Sequence, residues 1–548
     1  MDLFLRILLI ALLFFVPFSF AGAEPWAFSI LQGALCVLLA GIFLDRKTLH
    51  FTPLFTPVLY TLGVLILYTL LQCVAPQTLL NTPTPYPATL MRLYSLEHLS
   101  YFVTYLAWVF VVMQLADTSV QIRRGIFWTG ICAVLICLCA LCLPKGQYIH
   151  AFTGVMGGFG PFFNRNHGGI FLAGCAVLCL GWLCAAQPAH DSETTNKSFL
   201  ARQIWGTLIV FSIAISAIFS RSRGGMLSLT VGMFVFFVCC ARFVPTLWKK
   251  RAKWLFITLM CFGTLAYWAG THMQQINTFA ERRAVQDTSI ETRVQLYRTA
   301  KHILHDYPLW GIGVGAMPVV VPSYLKNPIN AYVERLHSDW LEMLVGLGYV
   351  GSILVLIGLF WFAMRLLCQL EKLNRTKQIR LAALFATALA ICTGAIADFP
   401  FFIPATALLF FWAIGLACAS SFWKGHIRTW QPAGWVRILI LLLFLSACFI
   451  PLQKTRAWRL FTFGRNLKTE TRIQYYEKGL SLFPSPRFAV QLGNAYYNAS
   501  LHTKDPQEQF FFRSMAQVIA VDYLNKYPKD KELSRLYKYS RFPTQPAR

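Results

Sequence analysis

Apolar residues come along this chain in blocks of about 20, with the polar residues gathered between blocks instead of alternating within them. An α-helix rises 1.5 Å per residue, so about 20 apolar residues cover a hydrocarbon core of roughly 30 Å. Blocks of that kind lie at residues 3–20, 26–44, 55–73, 98–115, 125–143, 168–186, 205–219, 225–241, 254–270, 338–365, 381–397, 401–421 and 436–451. They predict about thirteen membrane helices joined by short loops. The first block is expected to be a retained helix, because Asp2 and Arg6 make a weak leader and Glu24-Pro25-Trp26 runs straight into the next block. Two stretches, 271–336 and 453–548, are long and hydrophilic.

Composition leads to the same class. Of 548 residues, 56% are hydrophobic and 13% charged, where an ordinary globular protein carries roughly 25% charged residues. The mean hydropathy is +0.53. A soluble core cannot hide that much apolar surface, so lipid is the solvent for most of the chain. Disordered, fibrous and disulfide-stapled secreted classes are excluded. Lys and Arg number 49 against 23 Asp and Glu, a formal charge of +26. In a soluble protein that excess would point to nucleic acid. Here it marks topology, and no nucleic-acid partner is expected.

With the N-terminus in the cytoplasm, the cytoplasmic loops carry Arg46 and Lys47, Arg123 and Arg124, Lys197 and Arg202, then Arg242, Lys249, Lys250, Arg251 and Lys253. Further along come Arg365, Lys372, Arg375, Lys377 and Arg380, and then Lys424, Arg428 and Arg437. The alternate short loops are poor in both residues, as the positive-inside rule requires. That places 271–336 and 453–548 on the outer face. The 16 cysteines lie in or beside apolar blocks, without zinc-like spacing to any histidine, so neither metal nor cofactor is expected.

The chain therefore divides into a multi-pass membrane domain, 1–452, with an outer loop over 271–337, and a soluble helical tail, 453–548. Pro451 and the polar residues after it are expected to separate the two. Helical periods run through 473–483 and 487–499, broken by Pro484 and Pro486. Tyr475-Tyr476, Gly479-Leu480, Leu492-Gly493 and Tyr496-Tyr497 are similar to a single degenerate tetratricopeptide unit. A small helical bundle of no fixed family fits the same pattern.

Ionisable residues at a membrane rim are costly and mark function. In Ser220-Arg221-Ser222-Arg223-Gly224-Gly225, two arginines sit in a short outer connection that the charge rule would leave bare. Guanidinium offers a fork of donors to phosphate oxygens, and glycines opening a helix let an anion approach its N-terminus. Snorkelling to the interface is the structural alternative, above all for Arg221. Thr288 and Glu291 fit a capping box that starts an amphipathic surface helix, with Arg293 and Tyr297 on one face and Leu296, Ala300 and Ile303 on the other. The glycines of Trp310-Gly311-Ile312-Gly313-Val314-Gly315 lack a βαβ setting and a following Gly-Lys-Ser/Thr, so a re-entrant turn is expected instead of a nucleotide loop. His337, where the long loop returns to the membrane, is suited to taking a proton near neutrality, with Asp339 or Glu342 to orient it.

Ser222-Arg223-Gly224-Gly225, then Arg293, Tyr297 and Asp306-Tyr307-Pro308-Leu309, then His337-Ser338-Asp339-Trp340-Leu341 followed by Gly346-Leu347-Gly348-Tyr349-Val350-Gly351, resemble the O-antigen ligase/polymerase family. The Phe163-Asn164-Arg165-Asn166-His167 loop looks like members with periplasmic repeat tails. The resemblance spans about 159–351. It implies an all-α polytopic fold like that of the membrane-embedded C superfamily of glycosyltransferases, in the bacterial inner membrane. The implied activity is metal-independent, inverting transfer of a glycan from undecaprenyl diphosphate at the periplasmic face. Carried over, Arg223 and Arg293, with Arg221 beside them, would hold the donor diphosphate, and His337 would deprotonate the acceptor hydroxyl. Asn164, Asn166, His167 and Tyr297 become candidate glycan or acceptor contacts. Two arginines suit a diphosphate leaving group and a poised base suits an attacking alcohol, which agrees from chemistry alone.

Three acceptors fit: lipid A-core, another lipid-linked glycan, or a protein hydroxyl, the last making a protein O-oligosaccharyltransferase. A polysaccharide transporter or flippase would instead place charges at mid-membrane in paired broken helices. Membrane lipids are partners in every case. Reporter fusions after Arg380 and after Lys468 test the alternation: the first reports the cytoplasm and the second the periplasm, and agreement between them breaks it.

Overall fold

The computed structural model describes residues 1–75, 85–143, 147–153, 158–185, 193–244, 288–325, 335–420, 428–526 and 531–541. The helices in order are α1 (Asp2–Phe18), α2 (Pro25–Asp45), α3 (Phe55–Val74), α4 (Arg92–Leu115), α5 (Ser119–Cys142), α6 (Gln147–Thr153), α7 (Arg165–Cys184), α8 (Glu193–Phe219), α9 (Arg223–Phe243), α10 (Thr288–Asp306), α11 (Met317–Tyr324), α12 (Asp339–Leu370), α13 (Arg375–Gly394), α14 (Pro404–Ser420), α15 (Gly434–Gly464), α16 (Thr469–Leu482), α17 (Pro486–His502), α18 (Pro506–Lys526) and α19 (Lys531–Ser540). Among the described residues eight helices are long and apolar enough to cross a membrane: α2, α3, α4, α5, α7, α9, α12 and α15. Gln203–Phe219, within α8, and α14 are shorter apolar helices. The protein is an all-α polytopic membrane protein. The block expected at 254–270 lies outside the described residues; each of the others falls on α1, α13 or one of the helices just named.

Paired contacts put the expected cytoplasmic loops on one face. Asp2 takes Arg6 at 2.6 Å and Arg46 at 3.3 Å, and Asp117 takes the same two arginines at 3.3 and 3.1 Å. Beside them β1 (Leu49–Phe51) pairs antiparallel with β2 (Arg428–Trp430), Leu49 opposite Trp430. Arg437 donates to the carbonyls of Phe43 and Lys47, and Arg380 donates to Ser119 Oγ at 2.9 Å. The N-terminal ends of α7, α9 and α12 and the C-terminal end of α13 are thereby left to the opposite face, where the remaining chemistry lies.

At that face α12 is broken. Gly348 has φ 66° and ψ −173°, and into the gap fits the turn 308–315, with Gly311, Gly313 and Gly315 at φ 70°, 96° and 82°. Backbone bonds run across it, Ile312 N to Val345 O at 3.0 Å and Tyr349 N to Pro308 O at 2.8 Å. Carbonyls freed at membrane depth need partners, and α3 supplies them. Gln72 Nε2 donates to Trp310 O and Gly346 O, both at 3.0 Å, and Tyr68 Oη donates to Leu347 O at 2.8 Å. The re-entrant turn expected from the glycines is present, seated in a helix break.

One boundary behaves differently from expectation. α15 passes through Pro451 unbroken to Gly464, so the 452/453 division falls inside a helix. Its last turns enter the tail core, where Phe461 stacks on Phe488 at 4.3 Å and on Tyr476 at 4.4 Å between ring centres. The missing amide of a proline weakens a helix without ending it when flanking turns are held by packing.

A side chain at Gly348 would meet the Leu309 carbonyl in a backbone region closed to other residues. Gly348→Ala therefore costs roughly 2 kcal/mol or more, read as a lower melting temperature in detergent. Gly33→Ala, on α2 with open space around it, leaves that temperature unchanged.

Candidate active site

His337 ends the outer loop one residue before the Ser338 cap of α12. Its backbone is left-handed, φ 55°, a strained setting for a side-chain-bearing residue that tertiary contacts must enforce. The ring is half-buried, with Nδ1 enclosed on the side of Asp398 and 3.9 Å from its Oδ1. Asp398 occupies the turn between α13 and α14 and is 1% exposed. The same Oδ1 accepts from His167 Nε2 at 3.3 Å and from the Phe399 amide at 3.0 Å. The Phe399 ring meets both imidazoles edge-on, His337 at 5.3 Å and His167 at 4.7 Å. Burial pushes the Asp398 carboxyl up, but the hydrogen bond and attraction of His167, the nearby His337 ring and the Phe399 amide outweigh it and hold the group well below the usual carboxylate range. It is an anion at neutral pH.

α10 lies across the loop with Leu296, Ala300 and Ile303 buried, as its periodicity predicts. It begins at Thr288, but the side chains of Thr288 and Glu291 lie outside the described residues. Tyr297 Oη donates to the His337 carbonyl at 3.1 Å, gripping the strained residue from the other side. Burial raises the Tyr297 phenol, which keeps it a donor. Arg293, one turn earlier on that face, is half-buried and close enough for its charge to act on Tyr297.

Arg221 and Arg223 lie in the turn between α8 and α9. Arg221 is the second strained residue of the rim, at φ 55°, and Arg223 opens α9 behind the Ser222 cap, whose Oγ accepts from Gly225 N at 2.9 Å. A Cβ on Gly225 would stand 2.8 Å from the Gly169 carbonyl carbon, so the turn lies flush on α7 two residues from His167. Both arginines are exposed at this rim.

Several expectations change here. Asp339 does not orient His337: it opens α12 with Oδ2 accepting from Phe401 N at 2.9 Å, on another side of the helix. Its Oδ1 is buried without a hydrogen bond. Glu342 serves Arg335 at 2.8 Å and Leu336 N at 3.3 Å, again not His337. Asn164 caps α7 by accepting from Asn166 N at 2.9 Å, and Asn166 stands half-buried beside it. His167 is 4% exposed and faces Asp398 instead of the open rim. The residue missed in the sequence was Asp398, a lone acid in the turn between two apolar blocks on the face that holds every other candidate. That position was its only signal.

Below this rim an apolar cavity of about 480 Å³ opens between α3, α4, α12, α13 and α14, within the usual ligand-pocket range of about 300–1,000 Å³. Tyr101, Tyr105, Phe402 and Trp340 line it, with Asp339 and Glu342 among its few polar groups. Among the described residues no three or more His, Cys, Asp or Glu side chains converge as a metal set would. Residues 208–357 match the family model described as O-antigen ligase. No curated protein matches the chain.

Asp398 sets a pH test. Because its folded carboxyl is depressed, its stabilisation is complete above the unfolded value of about 4 and is lost only as pH falls further, through the folded value. Asp398→Asn therefore melts below wild type at pH 7, and the gap narrows below about pH 4. A gap of constant size across that range would show that the charge is not what matters.

Proposed function

We propose that this chain, whose residues 208–357 match the O-antigen ligase family model, transfers a glycan from a lipid diphosphate to an acceptor hydroxyl at the outer face of the bacterial inner membrane. The family implies glycosyl transfer; the donor, roles and geometry that follow are our reading. The observation that carries it is the His337 ring, with the Asp398 carboxylate 3.9 Å behind Nδ1 and its carbonyl held by Tyr297, on a rim that also bears Arg223 and Arg293.

In this mechanism the acceptor oxygen attacks the anomeric carbon of the donor sugar from the side opposite the diphosphate, which inverts that centre. The bond from that carbon to the phosphate oxygen breaks, and its electron pair leaves with undecaprenyl diphosphate. His337 Nε2, at the ring edge away from Asp398, takes the hydroxyl proton. The Asp398 carboxylate steadies the imidazolium that forms. Arg223 and Arg293, with Arg221 nearby, hold the diphosphate and its growing charge. The apolar cavity beneath suits the first isoprene units of the carrier. Arginines shared between the N-terminus and the ends of α2 and α4 support a cytoplasmic N-terminus and a periplasmic tail. A protein acceptor is the second reading, favoured by the tail, whose core reaches α4 beside the site.

Purified protein in lipid nanodiscs, given lipid-linked glycan and each acceptor separately, tests the function. His337→Gln keeps a hydrogen-bonding group but no usable base, and loses transfer by about two to four orders of magnitude while still binding donor. Arg223→Ala and Arg293→Ala lose both transfer and donor binding, and lysine restores little because it lacks the planar fork. Near-normal transfer by His337→Gln removes the base.

A further inference from the structure

Two ion pairs, each with a buried carboxylate and a half-buried cation, lie side by side behind His337, outside the reacting groups. Arg335 Nη1 donates to Glu342 Oε1 at 2.8 Å and to His98 Nε2 at 3.2 Å, and its guanidinium carbon sits 3.6 Å over the Phe402 ring. Glu342 Oε2 accepts from the Leu336 amide at 3.3 Å, so one carboxylate holds both residues preceding His337. His98 Nδ1 lies 2.7 Å from the Tyr94 carbonyl. A carbonyl only accepts, so Nδ1 carries the proton and Nε2 is the acceptor that Arg335 requires.

The neighbouring residue of α4, Glu97, accepts from Lys454 Nζ at 2.6 Å and is 6% exposed. Lys454 belongs to α15, just past Pro451, and its ammonium stands 5.7 Å from the centre of the Phe483 ring in the tail. Phe483 in turn meets Tyr94 edge-on at 6.2 Å. Contacts thus run from the tail through Lys454 and Tyr94 to Glu97 and His98, then to Arg335 and Glu342, and end at the Leu336 amide, one residue before His337.

Stability does not explain this arrangement. Desolvating two ion pairs costs about what their attraction returns, and apolar side chains of similar volume would hold the helices as well. What charged pairs add is a fixed direction and distance. We propose that Arg335 is a positioning residue that sets the His337 backbone, and that the Lys454–Glu97 pair couples this setting to the docked tail. The tail is then a working part of the site. The role assigned to the setting rests on His337 acting as base; the brace itself does not.

The test uses full-length protein in nanodiscs with Arg335→Gln, Arg335→Lys, Lys454→Met and Lys454→Arg. Amide exchange over 336–339 quickens about tenfold in Arg335→Gln and Lys454→Met, while exchange along α13 is unchanged. With lipid-linked donor, kcat falls about tenfold to a hundredfold in Arg335→Gln and less in Lys454→Met, with KM within about twofold. Arg335→Lys and Lys454→Arg recover most of each loss. Exchange at the wild-type rate in both Arg335→Gln and Lys454→Met overturns the brace. Quickened exchange with unchanged kcat overturns its service to His337. Should Arg335→Gln fail to fold, Lys454→Met carries the same readings. Wild-type protein that exchanges slowly over 336–339 yet transfers nothing overturns the transferase reading and leaves the brace standing.

Discussion

Placing a carboxylate in a turn between membrane helices costs several kcal/mol unless donors surround it. Asp398 meets that condition at one oxygen: Oδ1 takes an amide, one histidine at hydrogen-bond distance and a second just beyond it, while Oδ2 is buried without a hydrogen bond. The histidines belong to the outer end of α7 and to the loop before α12, so satisfying one charge draws three separate parts of the chain together. The rim follows from it: the 220–225 turn rests on α7, and α10 closes over His337 through Tyr297. Without the anion, His167 would be a buried imidazole lacking its acceptor, and His337 a strained residue with nothing behind it.

A second constraint sits a turn deeper. Breaking α12 at Gly348 frees carbonyls where no water can reach them, and the side chains of Gln72 and Tyr68 take them up. The cost is an interrupted helix; the result is a rigid floor that turns the loop 308–315 back toward the rim. Loops hold side chains less precisely than rigid elements do, and here the described residues 308–315 are pinned at the helix break and His337 at the start of α12.

Much of this could be read from the chain. Block length placed the described helices, because lipid imposes one thickness on every span, though eight of them and not thirteen are long and apolar enough to cross a membrane among the described residues. His337 and the arginines stood out because charge on the outer face violates the pattern around it. The helix of 288–306 declared its buried face by period alone. Asp398 was invisible for the converse reason: its worth lies in meeting residues near 167 and 337, and no local period encodes a meeting of that kind. Asp339 misled because closeness in sequence does not fix direction. As the first residue of α12 it points toward the 399–401 turn, away from the ring two residues before it. Pro451 misled too, since packing of α15 into the tail core carries the helix through a residue that weakens it in isolation.

The distance in sequence between His337 and its supports also fixes when the site can exist. A chain made N-terminus first inserts α12, with His337 at its mouth, before the turn bearing Asp398 has been synthesised. Lys454 arrives later still, on α15. Until then the histidine has no anion behind it and its backbone no brace. On the mechanism proposed above, a ribosome-bound or prematurely terminated chain would therefore present the arginine turn to a lipid-linked donor before it could transfer what the donor carries. The supports of His337 are complete only once α15 is made, so on that reading completion of synthesis is itself a checkpoint on the chemistry.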